Sequence, residues 1–244
     1  FSMQMMLILI LGHALALSTW VNNGLERLVR LPQNGAQAVL MVGSLSMCFA
    51  LLNWGFGLIG GALLAKKMGE KARQQGMSRN YPLLVAAAYS CMLVWHGGLS
   101  GSAPLKVAET NHFLVDKAGI IPVSETLFSM RNLAGTGGAV LLISCLLWWM
   151  AKRAPQQSSL PAIPQQIQAS PIDMATYKGI DHQRWFGRAF GLLILLLFLS
   201  KSMRTQTDAL GLLNLNYING ILFGLGMLAH GSVQRFVHAV EMAI

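Results

Sequence analysis

HGGLSGSAPL, residues 96–105, follows directly on the apolar run YPLLVAAAYSCMLVW at 81–95. Three glycines, two serines and a proline occur here, with no charge before Lys106. Lipid supplies no water to free backbone groups. An interrupted helix at membrane depth is therefore tolerated only where it is buried in protein or lines a wet cavity. At 1.5 Å per residue from Tyr81, His96 lies about 22 Å along a helix, some two-thirds of a hydrocarbon core of about 30 Å. That depth favours a break inside the membrane over an ordinary exit loop.

The rest of the chain supplies the membrane. Hydrophobic residues make up 54% and charged residues 11%, against about 25% charged in soluble domains. Residues 1–25, 31–65, 80–105, 132–151 and 209–234 contain no Asp, Glu, Lys or Arg, and about 20 apolar residues suffice to span. The fold class is all-α, a polytopic integral membrane protein. The formal charge of +9 is loop charge facing a cytoplasm, and no basic face interleaved with aromatics points to nucleic acid. Cys48, Cys91 and Cys145 lie in apolar runs without metal-ligand spacing and read as small buried hydrophobes.

Spans are expected at 3–21, 132–151, 186–200 and 210–229, with the start of an interfacial helix after the last. Residues 1–151 read as one membrane repeat, 152–185 as a Pro/Gln/Ser-rich cytoplasmic linker, and 186–244 as two further spans. The chain starts at Phe1 and stops within a helical pattern, as an internal fragment would. Loops 22–35 and 66–79 are both net positive, which places both inside. The uncharged block between them must then begin and end on one side. A re-entrant hairpin with arms 36–52 and 56–65, turning at NWGFG (53–57), satisfies this; the alternative is one tilted helix through 36–65. At about 25 Å and 15 Å, neither arm clears the core. Residues 81–104 then form a broken outgoing helix.

A hairpin tip beside a broken helix is a transporter-like site. Half-helix N-termini favour a carboxylate and C-terminal carbonyls favour Na⁺. The candidate substrate and ion contacts are Asn53, Gly55 and Gly57 at the tip, with Gly97, Gly98, Ser100, Gly101 and Ser102 in the break. Pro104 restarts the chain beyond it. His13, within an apolar helix, is a candidate proton relay or substrate contact, with a neutral histidine bonding nearby backbone as the alternative. His96 is a second such candidate. The spans hold no acidic residue, so proton coupling would run through histidine or through residues outside this chain.

QMMLILILGHALA, NWGFGLIGGALLAKKM, YPLLVAAAYSCMLVWHGGLSGSAPL and AGIIPVSETLFS resemble the bacterial short-chain fatty acid transporter family, the acetoacetate/butyrate-type permeases. The resemblance covers nearly the whole chain and is weakest over 152–185. It implies the N-terminal half of an inverted-repeat transporter of the bacterial inner membrane. Such a protein takes up short-chain monocarboxylates with Na⁺ or H⁺ as coupling ion, without cofactor or resident metal, and a homo-oligomer is compatible with it. The family often carries a third glycine where His96 stands, which argues against a shared role for that histidine.

Two other classes are weighed. GLSGS (98–102) contains a G-x-S-G pattern, so an intramembrane serine hydrolase would use Ser100 with a histidine from another span. A non-transporting membrane subunit would tolerate replacement of the glycines. The transporter reading, and so no enzyme activity, is preferred.

Overall fold

The computed structural model describes residues 2–74, 80–154, 179–204 and 214–243. The linker expected at 152–185 and the start of the span at 210–229 lie largely outside the described residues. Those described are helical, with no strand among them. Boundaries within the apolar runs are set by small polar caps. Ser18, Asn34, Asn80, Ser129, Asn214 and Ser232 each accept a backbone N–H three residues on, and each starts a helix.

The first span differs from the single helix expected over 3–21. Helix α1 (Ser2–Ala16) ends early, and Ser18 caps α2 (Thr19–Val29) after a bend of 62°. Helix α2 is amphipathic. Leu25 and Val29 are buried while Asn23, Glu26 and Arg27 face out, a pattern suited to lying along a surface.

Helix α3 (Gly35–Leu52) and α4 (Trp54–Gln74) form an antiparallel pair. The turn is one residue, Asn53, because residues 54–57 are already helical. The tilted single helix is thereby excluded: Gly57 lies against Ala50 and Gly61 against Ser46. A Cβ on Gly57 would sit 2.6 Å from the Ala50 backbone, so the close approach requires glycine. The arms are longer than expected. Helix α3 alone is long and apolar enough to cross a membrane, about 27 Å at helical rise, and α4 continues through the basic segment to Gln74.

The broken helix also breaks earlier than its glycines suggest. Helix α5 (Tyr81–Tyr89) gives way to 3₁₀ turns at Ser90–Leu93 and Trp95–Gly97. Ser90 donates its hydroxyl to the Ala87 carbonyl at 2.6 Å, and such back-bonding competes with the helical ladder. Backbone is extended at Gly98, and a short helix α6 (Ser102–Val107) begins after Gly101. Pro104 sits in its first turn, where no N–H is needed. A short turn of helix, α7 (Val115–Ala118), follows in the outer segment. There His112 is 3% exposed and bonds the Gly119 carbonyl.

Helix α3 is central, with α4, α5 and α8 (Met130–Arg153) around it. Ser46 donates to the Gly43 and Ala87 carbonyls, and the Ser44 and Ser144 hydroxyls meet at 3.1 Å. Interhelical bonds of this kind contribute about 0.6 kcal/mol each. Helix α8 also crosses a membrane by length and composition. It buries Ser144 and Leu147 and exposes Leu141, Leu142, Trp148 and Trp149. Lys152 and Arg153 fold back over those two tryptophan rings at 3.6 Å and 4.4 Å, an interfacial anchor.

Helix α9 (Arg184–Arg204) packs on α10 (Leu215–His230), and α10 packs on α1. Asn214 caps α10, Asn216 accepts from the Gln4 amide, and Asn219 donates to the Gln4 carbonyl. These asparagines tie helices together. An amphipathic α11 (Val233–Glu241) closes against α1. At one end of the molecule Lys67 pairs with Glu26 at 3.2 Å and Lys71 donates to the Val29 carbonyl, so loops 22–35 and 66–74 come together. The chain is an all-α, multi-pass membrane protein.

Candidate functional site

Asn53 does two jobs in one residue. Its backbone N–H bonds Phe49 and ends α3, while its Oδ1 accepts from Phe56 N–H at 2.7 Å and starts α4. The break lies directly against this apex. Ser100 is fully buried and its Oγ accepts from Trp54 N–H at 2.9 Å. Leu99 N–H donates to the Leu51 carbonyl at 2.7 Å. The helix-end groups that the sequence offers to ions are thus bonded to one another across the break.

Two donors remain. Asn53 Nδ2 and Trp54 Nε1 are buried and have no hydrogen-bond partner among the described residues. An unmade bond from a buried donor costs about 1–3 kcal/mol. The cap fixes which end of the Asn53 amide is the free one, because only its oxygen can accept from Phe56. Each is an N–H donor suited to an acceptor such as a carboxylate oxygen.

The predicted residues fall into two groups. Gly55 faces Leu9 of α1, and Gly12 of α1 lies on the Asn53 side chain. Gly57 belongs to the α3–α4 seam. Gly98 lies on the Leu51 backbone, and Gly97 lies against Thr136, its carbonyl accepting from Asn132 Nδ2 at 3.1 Å. Gly101 turns back onto His96 and donates its N–H to the Gly98 carbonyl. Ser102 opens α6 and is half-buried. Gly98 and Ser100 therefore meet the Asn53 apex directly, while Gly55 packs on α1, Gly97 on α8 and Gly101 within the break itself, with Gly57 in the α3–α4 seam and Ser102 opening α6.

No histidine bonds either free donor among the described residues. His96 is exposed and stacks on Trp95, ring centroids 3.7 Å apart. His13 is half-buried, one position beyond Gly12. His230 donates to the Ala14 carbonyl at 2.7 Å. Ser100 is bonded to Trp54, and no histidine bonds it among the described residues. Ser100→Ala should leave Trp54 N–H unmatched and lower stability by about 1–3 kcal/mol. Thermal unfolding in detergent measures this; a midpoint equal to the wild type would mean that the bond contributes nothing.

Sequence reasoning missed Trp54, Asn132 and Thr136. Asn132 Nδ2 also bonds the Leu127 carbonyl at 2.7 Å, and Thr136 donates to Asn132 Oδ1. Polar residues at i and i+4 opening the uncharged run 132–151 were the available signal.

Over residues 1–244 the chain matches the family described as short chain fatty acid transporter. A Haemophilus influenzae relative named for short-chain fatty acid transport is 28% identical over 98% of this chain and 55% of its own length. An Escherichia coli relative of the same name is 29% identical over 100% of this chain and 54% of its own. The chain spans about half the length of the curated relatives it matches. No solved structure matches it.

Proposed function

This chain belongs to the short-chain fatty acid transporter family, and we propose that the protein carrying it is a secondary active transporter. It takes up short-chain monocarboxylates such as butyrate or acetoacetate across the bacterial inner membrane, coupled to Na⁺ or H⁺. The junction of the α3–α4 apex with the broken helix forms part of the substrate site. The observation that carries this reading is the pair of unpartnered buried donors, Asn53 Nδ2 and Trp54 Nε1, at that junction. A carboxylate has acceptor capacity for both, and its binding would remove two unmet bonds from the interior. In this reading α3 and α4 re-enter from the cytoplasmic side, where loops 22–35 and 66–74 carry the basic residues.

The test is uptake of radiolabelled butyrate into proteoliposomes containing the full-length protein. Accumulation under an imposed Na⁺ gradient assigns Na⁺, and accumulation under a pH gradient alone assigns H⁺. Competition by unlabelled acetoacetate is expected, and none by an uncharged alcohol of equal length. Uptake equal to that of empty liposomes under both gradients would remove the transport reading in favour of a non-transporting subunit.

A further inference from the structure

On the far side of α10 from the apex, a cavity of about 410 Å³ is lined by His182, Gln183, Arg184, Trp185 and Arg235. It lies where the first turn of α9 meets α11, held by the bond between His182 Nδ1 and Gln234 Oε1 at 3.1 Å. No acidic side chain lines it, and neither guanidinium has a carboxylate partner among the described residues. Two unpaired arginines around one cavity repel each other, so the arrangement gains stability when an anion enters. The positive end of α9, a helix of 21 residues, adds to the same field.

What surrounds the cavity identifies the kind of anion. Trp185 is 65% exposed at the start of α9, a position that tryptophan favours at a membrane–water boundary. From it runs an exposed apolar face, Leu192, Leu193, Leu196 and Leu197, that offers a bed for acyl chains. The basic ends of the preceding segment place this boundary on the cytoplasmic side.

We propose that this cavity binds the phosphate of an anionic phospholipid headgroup, with Arg184 and Arg235 as the phosphate ligands and Trp185 at the headgroup level. The site is independent of the transport reading. The guanidinium fork suits phosphate oxygens bidentately, and basic pockets between helices near the cytoplasmic face are suited to such headgroups.

Native mass spectrometry of the full-length protein titrated with phosphatidylglycerol, and separately with phosphatidylcholine, tests this. One phosphatidylglycerol is expected to bind tightly per chain, with phosphatidylcholine far weaker. Arg184→Gln with Arg235→Gln should weaken phosphatidylglycerol binding about thirtyfold, at about 1 kcal/mol per basic residue. Lysine at both positions should restore most of that loss, which guards against a folding defect in the glutamine pair. Arg27→Gln, exposed on α2, should change nothing. Displacement of the lipid by millimolar inorganic phosphate would assign the cavity to a free anion and overturn the lipid assignment. Equal binding of the two lipids would overturn the assignment to an anionic headgroup, because phosphatidylcholine carries a phosphate too, and wild-type affinity in the glutamine pair would overturn the site altogether.

Discussion

Asn53→Asp should abolish butyrate uptake, by at least about a hundredfold, while the hairpin stays folded. The aspartate oxygen keeps the acceptor that Phe56 N–H needs at 2.7 Å, and aspartate caps helices as well as asparagine does. What changes is the other end of the side chain. A donor without a partner becomes an acceptor carrying negative charge, facing the place proposed for a carboxylate. Two unit charges about 4 Å apart repel by about 4 kcal/mol at the effective dielectric of a protein interior near its surface, enough for the loss expected. Asn53→Ala serves as the counterpart: it removes cap and donor together and should cost about 1 kcal/mol of stability as well as uptake. Initial rates in proteoliposomes and unfolding midpoints in detergent give both readings. Wild-type uptake by the aspartate variant would reduce Asn53 to a cap and move the substrate elsewhere.

The pairing of an apex with a broken helix was legible because both depend on local composition. Basic loops at 22–35 and 66–79 require the block between them to return, and the glycines of NWGFG allow two helices to approach. The turn itself is shorter than the expected 53–57 and falls at the first residue of that stretch. Asn53 alone suffices, since one side chain ends α3 and caps α4, and a five-residue glycine-rich turn was not needed. Ser18 and Ser90 were passed over for a common reason. Each sits in an unbroken apolar run, and hydropathy is the same on either side of it. Only the hydroxyl's bond to nearby backbone distinguishes a bend or a 3₁₀ turn from continuing helix.

The chemistry of the junction was less legible, because it is made by contacts far apart in sequence. Ser100 was a candidate substrate and ion contact, yet its oxygen is committed to Trp54 N–H, 46 residues away. Trp54 was read as part of a turn, and its indole N–H proves to be one of the two unmatched donors. His96, marked out by its depth in the run, is exposed and lies against the Trp95 ring. Periodicity and composition locate a break but do not say which groups at the break satisfy one another. The hydrogen bonds of the buried polar atoms do, and at this junction they leave Asn53 Nδ2 and Trp54 Nε1 unmatched, while Asn219 Oδ1 and His238 Nε2 are unmatched elsewhere among the described residues.

Gly98→Ala should disable uptake by separating the break from the hairpin, and here stability should fall with activity. A Cβ at this position would lie 2.5 Å from Leu51 Cα and 2.7 Å from its carbonyl carbon. Both are backbone atoms of the last turn of α3, which no rotamer change can move aside. The backbone at Gly98, φ −103° and ψ −179°, is open to any residue, so the effect is one of space and not of conformation. Relief requires the two segments to part, which stretches or breaks the Leu99 N–H bond to the Leu51 carbonyl. Overpacking of about 1–3 kcal/mol and a lost bond of about 1 kcal/mol together predict a loss of roughly 3 kcal/mol. The comparison that isolates this cause is Gly138→Ala on α8, where nothing lies within 4 Å of an added Cβ. That change should be neutral or slightly stabilising, as glycine-to-alanine changes in helices are where space allows. Unfolding midpoints and butyrate uptake measured side by side decide the matter. If Gly98→Ala matched Gly138→Ala in both, the close contact between the break and the apex would not exist in the protein, and the junction could not be the substrate site.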